Sequence, residues 1–310
     1  MTVCRLTNQA LVSLRQFIET TVRPLEMARF RHAFEGGSAD LVLDALKRYQ
    51  NPDGGFGRAL EPDVRADESS ALCTSIAFRV LRSIGAKTDQ AVVSMGIRYL
   101  LATLDRREEH WRIIPASAEK SPHAPWWNQT GRESEFDDFS LNPSAEILGY
   151  LVDYQELIPR DLLALLSDRV LGYLSGLEEI EMHDLLCCVR LLQTATLPGE
   201  VHEPLLRKLT GLVAGTVARD PEQWSGYSLR PLQVVDSPAS PFMSELQEAV
   251  AANLDYEIAS QNQDGWWTPT WTWGDAYPDH WKKAQREWAG ILTLENLLLL
   301  ERFGRIEGAA

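Results

Sequence analysis

Four carboxylates crowd one short string, Glu61-Pro62-Asp63-Val64-Arg65-Ala66-Asp67-Glu68-Ser69-Ser70-Ala71. Carboxylates this close push each other's pKa values apart through repulsion and shared hydrogen bonds, so one of them can be held protonated and act as an acid. The string also leads into an apolar helical stretch, where Asp67 and Glu68 would equally serve as caps that favour the helix dipole. Both readings stay open. A second acidic string, Glu135-Phe136-Asp137-Asp138, precedes another helical stretch from within a polar loop.

The chain's ten tryptophans are the other chemical signal. Trp126-Trp127 lie before a helical stretch, and Trp266, Trp267, Trp271, Trp273, Trp281 and Trp288 crowd the end of the chain. Aromatic faces attract cations through their quadrupoles and also stack on sugar rings. Trp266, Trp267 and Trp288 could be packing aromatics. Trp271, Trp273 and Trp281, in a segment with Gly274, Asp275, Tyr277, Asp279 and His280, are expected to line a cavity. Tyr227 and Arg230 should lie in a further loop, where Arg230 could hold a carboxylate or diphosphate or pair with a surface acid. Arg286-Glu287 is similarly ambiguous. Cys4, Cys73, Cys187, Cys188 and the six histidines show no zinc-binding spacing. The last three cysteines read as small core residues, and His183, beside Asp184 at a helix start, as a solvent-bonded or core-satisfied histidine. No metal or redox cofactor is expected.

What must position these groups is legible in a repeat. Gln50-Asn51-Pro52-Asp53-Gly54-Gly55-Phe56 and Gln261-Asn262-Gln263-Asp264-Gly265-Trp266-Trp267 share Gln, three residues, Gly, one residue and an aromatic. With Gly85 placed on Gly304, Ala71 falls on Gly290, Thr74 on Thr293, Phe78 on Leu297 and Leu81 on Leu300. A partial copy, Asn142-Pro143-Ser144-Ala145, has the cap-then-proline form of a helix start. Asp-Gly supplies positive φ for a tight reversal between two helices. Such units cannot bury their faces alone and must stack. Helical periodicity predicts helices over 8–22, 24–35, 38–50, 68–84, 88–104, 143–157, 160–176, 179–195, 201–218, 241–260 and 286–303. The class is all-α, read as one domain over 1–310.

These strings resemble the QW repeats of the terpenoid cyclase and protein prenyltransferase superfamily. The resemblance implies a single-domain α/α toroid, with 68–84, 143–157 and 286–303 as inner helices and 38–50 and 241–260 as outer ones. It also implies a cavity entered past the loops that precede the inner helices. The acid loop resembles in place and form the Asp-x-Asp-Asp-Thr-Ala motif of class II terpene cyclases. On that comparison Asp67 is the proton donor, with Asp63 and Glu68 tuning it, although Asp63 stands four residues before Asp67 instead of two. Prenyltransferases bind zinc through an Asp-x-Cys that is missing here, so protein prenylation is not expected.

A net charge of −14 argues against nucleic acid and anionic membrane surfaces as partners. The first residues lack an apolar signal core, and no stretch has the ~18 apolar residues of a membrane span, so a cytoplasmic location is expected. The resulting reading is acid-initiated cyclisation or isomerisation of a small, apolar, isoprenoid-like substrate in an aromatic-lined cavity. The alternatives are a non-catalytic toroid that binds an apolar molecule or a partner, and a carbohydrate-active toroid, either lyase or hydrolase.

Overall fold

Apolar side chains recur at helical spacing over most of the chain, and those stretches fold as helices. The computed structural model describes residues 3–308. In chain order the helices are α1 (Asn8–Thr21), α2 (Pro24–Phe34), α3 (Ala39–Lys47), α4 (Ala71–Ser83), α5 (Ala91–Thr103), α6 (Glu133–Asp137), α7 (Leu141–Asp153), α8 (Arg160–Ser175), α9 (Met182–Leu192), α10 (Gly199–Thr216), α11 (Pro231–Val234), α12 (Met243–Ala259) and α13 (Pro278–Arg302). Among the described residues there is no strand, only isolated bridges, so the chain is all-α. No helix among them is long and apolar enough to cross a membrane.

The expected helices are present, most with ends shifted by one to three residues. The largest shift is in α13, which starts at Pro278 and not at 286. Its first turns, Pro-Asp-His-Trp-Lys-Lys-Ala-Gln-Arg-Glu, carry no apolar stripe, yet proline at the first helical position and good helix formers behind it sustain the helix. The residues cluster into two compact units: unit 1 runs to Ala45 and resumes at Val217, and unit 2 is Leu46–Thr216.

In unit 1, α1, α2 and α13 pack on one another, and α11 packs on α12. The two ends of the chain meet here. Leu6 N–H donates to the Arg305 carbonyl at 2.7 Å, and Glu307 N–H donates to the Leu6 carbonyl at 2.9 Å. In unit 2, α7 packs against α4, α8 and α9, and α10 packs against α8 and α9. Helix α7 is buried from Pro143 to Val152, as a helix enclosed on every side must be.

The two motif copies form the same turn. In the first, Gln50 Nε2 donates to the Gly54 carbonyl at 2.9 Å. Gly54 N–H donates to Asn51 and Asn51 N–H to Gly55, both at 2.9 Å. In the second, Gln261 Nε2 donates to the Gly265 carbonyl. Gly265 N–H donates to Asn262 at 3.0 Å, and Asn262 N–H to Trp266 at 2.8 Å. The aromatic positions match as well: Phe56 N–H donates to Thr74 Oγ1 at 3.1 Å and Trp267 N–H to Thr293 Oγ1 at 3.3 Å. The helices that follow end alike, with Ala86 N–H on the Leu81 carbonyl and Arg305 N–H on the Leu300 carbonyl around left-handed Gly85 and Gly304. They differ at their starts. Thr74 is in the first turn of α4, whereas α13 has the extension Pro278–Ala289 before the part that matches α4.

Gly54 and Gly265 have φ of 93° and 94°, so both turns need glycine. Their surroundings differ. An added Cβ would lie 2.4 Å from the Met95 carbonyl oxygen at Gly54, but 3.7 Å from its nearest neighbour, Ser13 Cβ, at Gly265. Gly265→Ala should therefore cost only backbone strain, about 1–2 kcal/mol. Gly54→Ala adds the clash and should cost roughly 3 kcal/mol or more. Denaturant titration of the two variants checks this, and equal losses would contradict it.

Candidate functional site

Three helices of unit 2 run parallel, and their side-chain pairs show it. Between α4 and α7, Arg79 pairs with Glu146, Phe78 stacks on Tyr150 and Arg82 pairs with Asp153. Between α7 and α9, the Asn142 N–H donates to Asp184, and Arg190 pairs with Glu146. Early residues meet early residues, so the starts of α4, α7 and α9 lie at one end of the unit. The segments before α4 and α7 contain the acid string and Trp126-Trp127, and Glu181 is the N-cap of α9, whose first turn holds His183 and Asp184.

The fold joins the first two loops directly. Ala124 N–H donates to the Asp63 carbonyl at 2.9 Å, Arg65 N–H donates to the Pro122 carbonyl at 3.0 Å, and Val64 bridges to His123. Trp127 packs on a cluster of Val64, Ala66, Ile114, Ala118 and Phe136. Its Nε1 is buried without a hydrogen-bond partner, while Trp126, in the same 3-10 turn, is 40% exposed. Arg58 and Ala59, which precede the acid string, both have positive φ (54° and 57°), a costly conformation for residues with side chains. His123 is buried, with Nδ1 2.6 Å from the Ser121 carbonyl and Nε2 2.8 Å from Asn128 Oδ1, so it braces the second loop.

Within the acid string the carboxylates part company. Glu61 and Asp63 are buried, whereas Asp67 and Glu68 are exposed. Neither of the exposed pair caps α4, because Ser70 Oγ takes that place by accepting from Cys73 N–H at 3.0 Å. The string is pinned by the turn motif itself. Asn51 Nδ2 donates to the Asp67 carbonyl at 2.8 Å, and the Ser69 hydroxyl donates to Asp53 Oδ1 at 2.8 Å. Asn51 and Asp53 therefore do more than make a turn, which their type and spacing did not reveal. Asp137 lies in the short helix α6, not in a loop, and pairs with Arg112, while exposed Asp138 is the C-cap of that helix.

Asp184 is the carboxylate at this end that sequence reasoning passed over. Its Oδ1 accepts from Asn142 N–H at 2.8 Å and from the Ser140 hydroxyl at 3.2 Å. Burial holds its carboxyl above the ordinary aspartate range despite those hydrogen bonds, and the neighbouring Glu181 charge adds to the rise while His183 opposes it. Glu181 is shifted the other way. Burial would raise it, but His183, at 2.8 Å, and the backbone N–H groups of His183 and Asp184 outweigh that effect. Two adjacent carboxylates pushed apart in this way are the pattern of an acid beside a charge.

Deeper in the unit, Glu146 ties the three helices together. It is fully buried and touches Arg79 at 3.0 Å and Arg190 at 2.9 Å, and the Tyr150 hydroxyl donates to it at 2.6 Å. Burial alone would raise its carboxyl, but the two guanidinium groups win and hold it at about 2. Cys187, 3.6 Å from the same carboxylate, is pushed well up by burial and by that charge, which suits a core thiol. A lone Glu in the otherwise apolar helix α7 was the signal for this centre.

The remaining candidates belong to unit 1. Tyr227, 60% exposed, meets Trp271 edge to face at 5.7 Å, and Trp271 meets Trp288 at 5.0 Å. Trp271 Nε1 is buried without a partner. Trp273 is fully buried, 5.7 Å from Trp281. Trp281 and His280 are on α13 and not in the preceding loop, because that helix starts early. Arg230 is committed to buried Glu257 at 2.6 Å, so it pairs within the protein and not with a surface acid. Trp266 stacks on Phe17 at 4.3 Å and Trp267 Nε1 donates to the Glu257 carbonyl, so both are packing aromatics. A surface depression of about 500 Å³ is lined by Arg219, Ser244, Glu245 and Glu248, none of them a candidate. Among the described residues no group of three His, Cys, Asp or Glu side chains is placed to hold a metal ion. Comparison with protein-family models, curated proteins and solved structures gives no match.

The Glu146 centre has a pH signature. Its folded pKa, about 2, lies below the ordinary 4.5, so its contribution to stability is complete above 4.5 and is lost as pH falls towards 2. The shift corresponds to about 3 kcal/mol. Glu146→Gln should remove that acid-side slope and cost roughly 3 kcal/mol near neutral pH by leaving Arg79 and Arg190 uncompensated. Denaturant titrations across pH measure both. A variant that keeps the wild-type slope would show that another group controls it.

Proposed function

We propose that the loop end of unit 2 binds a small, apolar, isoprenoid-like molecule and initiates its cyclisation or isomerisation by protonation. The observation that carries this reading is the pairing of the acid string with the Pro122–Trp127 segment. It ties the backbone of Asp63, a buried residue, to Ala124, two and three residues before exposed Trp126 and half-buried Trp127. A proton donor to an alkene must be kept from water, and tryptophan faces near it can steady the resulting cation. Asp63 fits the first need better than exposed Asp67. Asp67 and Glu68 then act as rim charges, and the parallel helices belong to an α/α toroid of the terpenoid cyclase type.

The test uses geraniol and farnesol. Saturable quenching of tryptophan fluorescence should appear with wild type and weaken about tenfold in Trp126→Ala, the loss of roughly 1.4 kcal/mol of contact. Incubation in deuterated water should place deuterium in a rearranged product with wild type and with Asp67→Asn, but not with Asp63→Asn. Label in the Asp63→Asn product would remove Asp63 from the mechanism. Binding without any rearranged product would favour the non-catalytic alternative.

A further inference from the structure

We infer that Arg169, on α8, holds the head of a monocarboxylate whose apolar tail lies along Leu165 and Tyr173. This site shares no residue with the one proposed above and does not depend on it.

Arg169 is held in place without being paired. Its guanidinium lies 4.3 Å over the Phe139 ring, and its Nε is buried with no hydrogen-bond partner. The two Nη groups are not buried, and among the described residues neither has a hydrogen bond or an ion pair. The outer edge of the fork is therefore what the fold leaves open. Two N–H groups side by side on a planar cation match the two oxygens of a carboxylate.

The neighbours say what the carboxylate is attached to. Phe139, half-buried, meets Tyr173 at 4.8 Å and buried His110 at 6.4 Å. Along α8, Leu165 and Tyr173 stand four residues before and after Arg169, which puts all three on one face of the helix. Leu165 is 42% exposed and Tyr173 37%, so two large apolar side chains lie open on either side of the cation. An anion with an apolar tail satisfies both features at once, whereas a bare inorganic anion satisfies only one.

The local charge limits the head to a single negative charge. Burial holds His110 below its ordinary range; Asp105 and Glu108 oppose that, Arg169 adds to it and Asp138 opposes it. A neutral His110 gives Arg169 no second cation beside it. The three carboxylates around that histidine repel a doubly charged phosphate more than a carboxylate.

The experiment titrates the full chain by calorimetry, at neutral pH and constant ionic strength, with octanoate, octanol and octyl phosphate. Octanoate should bind wild type about tenfold more tightly than octanol, which has the same tail and no charge. Octyl phosphate should bind more weakly than octanoate. Arg169→Gln should erase the difference between octanoate and octanol, and Arg169→Lys, with the charge but not the fork, should reduce it. Leu165→Ser should weaken both ligands alike, and Asp138→Asn should tighten octanoate by removing a repelling charge. In wild type itself the Arg169 Nε–Hε resonance, assigned with Arg169→Lys, should move as octanoate is added and stay still with octanol. Equal affinities in wild type, a difference that survives Arg169→Gln, or an unmoved resonance would overturn the inference, as would absence of octanoate binding. Tighter binding of octyl phosphate would overturn the assignment to a carboxylate. Geraniol binding at Trp126 should be unchanged in Arg169→Gln, which keeps the two sites distinguishable.

Discussion

A single buried carboxylate sets the order of unit 2. Glu146 sits buried between guanidinium groups from the helices on either side of its own, Arg79 on α4 and Arg190 on α9. A charge so placed would be very costly unpaired, so α7 can be enclosed only in a register that brings both arginines to it. Tyr150 donates to the same carboxylate, and Arg82 lies 4.4 Å over the Tyr150 ring while reaching Asp153, Thr194 and the Arg190 carbonyl. The interaction therefore fixes direction as well as contact. An antiparallel α7 would carry Asp153 and Tyr150 away from the residues of α4 that hold them. The gathering of the three preceding loops at one end follows from this parallel order.

The turn motif solves a different problem, the reversal into an apolar helix. The Gln amide ties the turn to itself, and a buried Thr hydroxyl inside the next helix receives the N–H of the aromatic residue. That Thr is why the aromatic can be enclosed without an orphaned donor, and Phe56 and Trp267 are both buried. The equivalence of Thr74 and Thr293 was visible in the alignment of the two copies. Its purpose was not, because nothing in a string of letters says that a helix residue eighteen or twenty-six positions on will cap a turn.

What could be read from the sequence follows from the range of the interactions involved. Helices α4, α9 and α12 announce themselves because core burial imposes a period on neighbouring residues. The early start of α13 does not, since its first turns are polar and owe their helicity to local propensity. The bridge between Val64 and His123 joins segments with no periodicity at all, so the meeting of the acid string with the Trp126-Trp127 turn was out of reach. Glu146 left only one signal, that of a lone glutamate in an otherwise apolar helix. A glutamate near a helix start is ordinarily solvated, and only its two distant arginines make it otherwise.

The same distinction separates the carboxylates at the loop end. Alignment by motif singles out Asp67, since position along the chain is all that a motif records. Acid strength depends on access to water and on the charges and donors within a few ångströms, and these are properties of the folded loop. Asp67 is exposed, Asp63 is withdrawn, and Asp184, from a segment more than a hundred residues later, is raised by burial and by Glu181. Three carboxyl groups of nearly identical chemistry thus receive different environments from one arrangement of parallel helices.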